Sequence, residues 1–194
     1  MIRITMSDGS VREVPRGTTL ARLAAVCPEK FDSPIAEGVV NGVEANLNLH
    51  LMADCTVGFL PLNSAEGNRA YVRSLLFLFL ASASELYPNI HVEVRNSLGS
   101  ALYCVTQQGW YSADMLKSIE GRMREYIARK EPIEFLWVPR KRAIDSVIED
   151  PVMGEDRLGL LEMRPDLEQV PVNRIGDHFE FFLEPLLPST EYLG

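Results

Sequence analysis

The chain has 194 residues, 46% hydrophobic and 24% charged, a balance that supports a buried core and excludes intrinsic disorder. That length admits one large domain or two small ones. A formal net charge of −8 excludes a protein whose main task is to coat nucleic acid, which needs a surplus of Lys and Arg.

In chain order, Ile2, Ile4 and Met6 alternate with Arg3 and Thr5, which predicts a strand with one buried face. Asp8-Gly9 signals a hairpin turn into a second strand at Val11 and Val14, ended by Pro15 and Gly17. Thr18 or Thr19 caps a short helix with Leu20, Leu23 and Ala24 on one side. Val39-Val40, the turn Asn41-Gly42 and Val43 to Leu47 form another hairpin, and Cys55 to Leu60 a last strand. A small mixed sheet crossed by one helix predicts a β-grasp domain over 1–62. The polar stretch 63–69 reads as punctuation before a second domain over 70–194.

That second domain opens with a helix at 70–88, stopped by Pro88 and apolar almost all round, so it is expected at the centre of its core. Its most apolar run, Leu75 to Ala81, is far shorter than the ~20 residues that cross a bilayer. Ile90 to Val94 and Ala101 to Thr106 predict paired strands around a turn containing Gly99. Ser112 caps a helix whose Met115, Leu116, Ile119, Met123, Tyr126 and Ile127 form one stripe. A strand at Ile133 to Val138, a helix at Arg140 to Asp150 and a helical stretch near Leu158 to Met163 follow. Strands near Val170 to Ile175 and His178 to Leu183 finish an α+β domain with a mainly antiparallel sheet.

Chemistry is sparse in this pattern. No Gly-x-x-x-x-Gly-Lys-Ser/Thr loop or Gly-x-Gly-x-x-Gly turn is present to cradle phosphates, so no cofactor is expected in this chain. His50, His91 and His178 lack ligand partners at metal spacing, and no metal is expected. Asp177, His178 and Glu180, with Cys104 as a nucleophile, are the best candidates for acid–base work. Adjacent strand residues point to opposite faces, so a plain strand start outweighs that reading. His91, Glu93 and Arg95 read as a solvated face. Cys27, Cys55 and Cys104 form no Cys-x-x-Cys pair and are expected to be buried, reduced and inert. With no apolar leader core in MIRITMSDGS, a cytoplasmic protein is expected. Arg129-Lys130 and Arg140-Lys141-Arg142 flank the strand carrying Trp137. They read first as solvated helix ends, with Arg140 and Lys141 kept as candidate phosphate or RNA contacts.

The segments SDGSVREVPRGTTLARLA at 7–24 and VVNGVEANLNL at 39–49 resemble the TGS domain, the β-grasp unit of threonyl-tRNA synthetases and some GTPases. The helix ending in ELYP, YSADMLKSIEGRMREYI at 111–127 and PLLPST at 185–190 are similar to the editing domain that follows TGS in those synthetases. That family carries His-x-x-x-His on the first helix and Cys-x-x-x-His near the end. The matching positions here are Arg73 and Phe77, then Phe182 and Leu186, so the resemblance implies a degenerate editing domain without deacylase activity. YVRSLLF at 71–77, NSLGSALYC at 96–104 and FFLEPLLPSTEYL at 181–193 also resemble bacterial TGS-containing uridine kinase-like proteins. In those a P-loop nucleoside kinase domain using ATP and magnesium follows in the same polypeptide, and Glu191 stands where their Gly is expected.

The leading expectation from this resemblance is a non-catalytic regulatory or ligand-binding region of a nucleoside kinase-like protein, its kinase domain beyond Gly194. Arg73, Phe77, Cys104 and His178 would line its small-molecule or nucleotide pocket. The alternative is a divergent trans-editing aminoacyl-tRNA deacylase or a tRNA/RNA-binding adaptor, with RNA the less favoured partner.

Overall fold

The computed structural model describes residues 1–27, 31–98, 101–148, 159, 163, 168–180 and 184–194. Its first part is a five-stranded sheet in the order β2-β1-β7-β4-β5. The strands are β1 (Ile2–Met6), β2 (Val11–Val14), β4 (Ile35–Val40), β5 (Val43–Ala45) and β7 (Cys55–Pro61). Only the central β1–β7 pair is parallel. The short strands β3 (Thr18–Thr19) and β6 (His50–Leu51) pair beside it. Helix α1 (Leu20–Ala24) buries Leu20 and Leu23 against Ile2, Ile4, Met6, Val57 and Phe59. Thr19 is its cap, its hydroxyl accepting from the Arg22 amide. Asn41 and Gly42 both take positive φ, 51° and 84°, as the tight β4–β5 turn requires.

Helix α2 (Ala65–Leu86) begins five residues before the apolar pattern does. The Ser64 hydroxyl accepts from the Gly67 amide and Glu66 sits in the first turn, so 63–69 is a cap and first turn. Gly67, read as punctuation, is there for packing. A Cβ on it would stand 2.2 Å from the Pro61 carbonyl oxygen.

Beyond α2 come the hairpin β8 (His91–Leu98) and β9 (Ala101–Gln107), then α3 (Ala113–Ala128), capped by Ser112. Strand β10 (Glu134–Pro139) leads directly into α4 (Arg140–Ile148). Strands β11 (Gln169–Ile175) and β12 (His178–Glu180) complete an antiparallel sheet in the order β10-β11-β12. A 3-10 turn, Thr190–Leu193, closes the chain. The architecture is therefore α+β with mainly antiparallel sheets. The expected turn at Gly99, most of the stretch Leu158 to Met163 and the residues of β12 expected beyond 180 lie outside the described residues.

Two cores result. The first fills the space between α1 and the five-stranded sheet. The second gathers Ala70, Phe77, Leu78 and Ala81 of α2 with Tyr126, Ile133, Ile175, Leu186, Leu187 and Leu193, and takes in Ala36 from β4. Helix α2 is not central on every side, as its composition suggested. Val72, Leu75, Leu76 and Phe79 are only half-buried and, with Leu102 and Met123, line an open apolar groove of about 340 Å³. Among the described residues no helix is long and apolar enough to cross a membrane.

Candidate functional site

The polar centre of the molecule lies where α2 crosses the first sheet and the 184–187 segment. The Arg73 guanidinium has three partners: Nη2 donates to Glu37 Oε1 at 2.9 Å, Nε to the Pro185 carbonyl at 3.1 Å, and Nη1 to Glu184. A cation on this apolar helix is costly to bury unless it is paired, and Glu37 of β4 is its buried partner. Its side chain is 0% exposed, against 15% for Arg73. Further bonds hold the same seam. Leu187 N donates to Ser74 Oγ (2.8 Å), Asn46 Nδ2 to the Leu186 carbonyl (3.0 Å), and Asn48 Nδ2 to that of Ile133 (3.1 Å).

Burial raises the Glu37 carboxyl from its ordinary 4.5 to about 7, although the Arg73 charge pulls the other way and Glu44 adds repulsion. Its second oxygen, Oε2, is buried with no hydrogen-bond partner. A carboxyl whose pKa is raised by folding stabilises the fold below its unfolded value and loses that contribution as pH rises through the folded one. At about 1.4 kcal/mol per unit, the penalty at pH 8 is on the order of 3 kcal/mol. Glu37→Gln is therefore expected to gain stability relative to the parent as pH rises from 5.5 to 8. Urea unfolding of both proteins at the two pH values reads this; an unchanging difference would put Glu37 in an ordinary acidic range.

One helical turn along from Arg73, the Phe77 ring packs against His178 with centroids 5.6 Å apart. Register across β11 and β12 places Asn173 opposite Glu180 and Ile175 opposite His178. Paired residues share a face, so all four lie on the side of the sheet toward α2. Asn173 is buried there with Oδ1 lacking a hydrogen-bond partner. Asp177 is exposed in the β11–β12 turn and does not share that face.

Of the four proposed pocket residues, the structure brings together Arg73, Phe77 and His178 but leaves Cys104 apart. Cys104 pairs with Val94 in the hairpin and lies on the same strand face as Leu102, which meets the opposite side of α2. Nor is it buried as expected: Cys104 is exposed and Cys27 and Cys55 are half-buried. Partial desolvation raises the Cys104 thiol pKa, the reverse of an activated nucleophile. His91 is on that hairpin too, where Arg95 pairs with Glu93 at 2.8 Å. Phe182 lies outside the described residues, whereas Leu186 is fully buried. No group of three or more His, Cys, Asp or Glu that could hold a metal occurs among the described residues.

The basic clusters are placed differently from one another. Arg129 stacks over the Tyr126 ring and Lys130 pairs with Glu191 at 3.4 Å. Arg140 and Lys141 begin α4, Lys141 exposed, with the Arg140 amide held by the Glu168 carbonyl. Sequence reasoning missed Glu37. Its signal was a lone acid in the apolar strand IAEGVV, but nothing local ties it to a cation 36 residues away.

No family model matches the chain. Over 98% of its length it is 24% identical to a threonine–tRNA ligase of Clostridium perfringens and 27% identical to one of Acetivibrio thermocellus. Over its full length it is 28% identical to a threonine–tRNA ligase of Parabacteroides distasonis. The chain spans 29–30% of the length of these curated relatives. The similarity thus covers both halves of the chain, and the resemblance to threonyl-tRNA synthetases is the part of the sequence reading that it supports.

Proposed function

We propose that the chain is an editing-like, tRNA-related module of threonyl-tRNA synthetase type that binds tRNA without hydrolysing the aminoacyl ester. The observation that carries this is the state of α2. Where the resembling family has its His-x-x-x-His, Arg73 is locked between Glu37 and Glu184, and Phe77 fills the next turn against His178. A guanidinium with three partners has no lone pair for a proton or a metal, so neither general-base nor zinc chemistry can start there. The adaptor form of the reading is therefore preferred to the deacylase form.

The first sheet fits the same reading. Its order, with α1 packed across one face, supports a β-grasp reading, and we read residues 1–62 as the TGS-like domain and 70–194 as the editing-like one. A uridine kinase-like parent gains no support from these relatives, which are synthetases.

The test pairs two assays on the chain. Filter binding with tRNA is expected to show affinity at low salt that falls steeply as salt rises. Incubation with mischarged tRNA, with and without zinc, is expected to give no hydrolysis above buffer. Turnover would restore the deacylase form; no binding at low salt would remove the tRNA reading altogether.

A further inference from the structure

The hairpin β8–β9 forms a sheet of its own, and neither strand pairs with any other described strand. Two strands alone are marginal in water; a third strand or a packed face is what stabilises such a ribbon. Little is packed here. Leu102 is 38% exposed, Tyr103 49% and Val94 37%, and Cys104 is exposed beside them.

The two outer edges of the ribbon differ. Strand β8 carries Glu93 and Arg95 and bulges at Arg95, the extra residue between Val94 and Asn96. Charges and bulges are what keep an edge from pairing. Strand β9, ALYCVTQ, has no charge, no Pro and no Gly, and its Tyr, Val and Thr favour an extended backbone. No charged residue occurs from 96 to 113, in a chain that is 24% charged.

We propose that the open edge of β9 joins the same edge of a second copy of this chain, antiparallel about a twofold axis, to make one four-stranded sheet β8-β9-β9-β8. The register that pairs all seven residues of β9 is centred on Cys104. It sets Tyr103 opposite Val105 of the second copy, an aromatic–β-branched pair that the symmetry makes twice. Leu102 meets Thr106 of the second copy in the same way. A copy fits better than a foreign strand, because this pairing is self-complementary and the edge has no charge to steer a different partner. It is also a stretch where two chains of net charge −8 can meet without opposing charges. Main-chain bonds supply the affinity, and so narrow a contact belongs to weak, concentration-dependent dimers. The inference is independent of the tRNA reading.

Sedimentation equilibrium of the chain is expected to show a mass rising with concentration from 21.8 kDa toward twice that value. Tyr103→Lys puts a charge on the edge and acts twice by symmetry, so it should weaken the dimer by on the order of tenfold or more. Tyr103→Phe should leave it unchanged. An unchanged circular-dichroism melt of dilute Tyr103→Lys would exclude unfolding as the cause. Diamide, which takes up the two electrons and two protons that a pair of thiols gives up, should join the copies through a Cys104–Cys104 disulfide. Directly opposed Cα atoms lie about 4.5–5.5 Å apart, within disulfide reach. Peptide mass spectrometry identifies the bond, and Tyr103→Lys should slow its formation. A monomer at every concentration overturns the inference and leaves the β9 edge to a strand of another protein. A dimer that Tyr103→Lys leaves intact, or one whose disulfide joins cysteines other than Cys104, also overturns it.

Discussion

Arg73→Met should destabilise the chain by about 3–5 kcal/mol at pH 8, the range for removing one partner of a buried ion pair. Methionine keeps most of the stem's apolar packing, so the loss reports the charge and its bonds rather than a cavity. Three groups lose a donor at once: the buried Glu37 carboxylate, the Pro185 carbonyl and Glu184. Of these, Glu37 dominates, because it is wholly buried and already has one unpartnered oxygen. The loss should shrink at pH 5.5, where Glu37 is protonated and carries no uncompensated charge. Adding Glu37→Gln should recover part of the loss at pH 8 for the same reason. Urea unfolding of the two single variants and the double variant at both pH values forms the coupling cycle. Losses that add without coupling would mean that Arg73 does not act through Glu37.

The second large effect has the opposite sign from what helix propensity alone gives. Gly67→Ala in an isolated helix is favourable by up to about 1 kcal/mol. Here the new Cβ would meet the Pro61 carbonyl oxygen at 2.2 Å and the Leu62 Cα at 2.8 Å, both backbone atoms that cannot rotate away. Either the end of β7 or the first turn of α2 must shift, at a cost of about 3 kcal/mol or more. A thermal melt distinguishes the two effects, since propensity raises Tm and the clash lowers it. A Gly67→Ala variant as stable as the parent would show that α2 enters less tightly than this packing requires.

Both predictions concern features that local sequence patterns hide. The strands at Ile2 to Met6 and Val170 to Ile175, the Asn41-Gly42 turn and the caps at Thr19 and Ser112 were readable because each is a short-range rule. Alternation, left-handed φ and side-chain capping involve residues two to four apart, and the chain reports them directly. The start of α2 was not readable, because Gly67 is a turn former by composition and a packing residue by position. Apolar residues all round α2 signalled burial without saying how two faces would differ. Phe77 meets His178 and the core, whereas Val72, Leu76 and Phe79 border the groove.

The candidate site divides the same way. The chemistry of two of its residues was visible in the sequence: neither the Arg73 guanidinium nor the Phe77 ring offers the lone pair of an imidazole, whatever surrounds it. Which groups meet there was decided only in three dimensions. Glu37, 36 residues before Arg73, and Glu184, 111 residues after it, are joined by a topology that lays β4 and the 184–187 segment on one side of α2. Cys104 was separated from them by a hairpin register that turns it to the other side. The sequence alone determined element types and the side-chain chemistry available at positions 73 and 77, since both follow from residue identity and near neighbours. The tertiary structure decided the buried ion pair, because desolvation and charge pairing depend on distances between residues far apart in the chain.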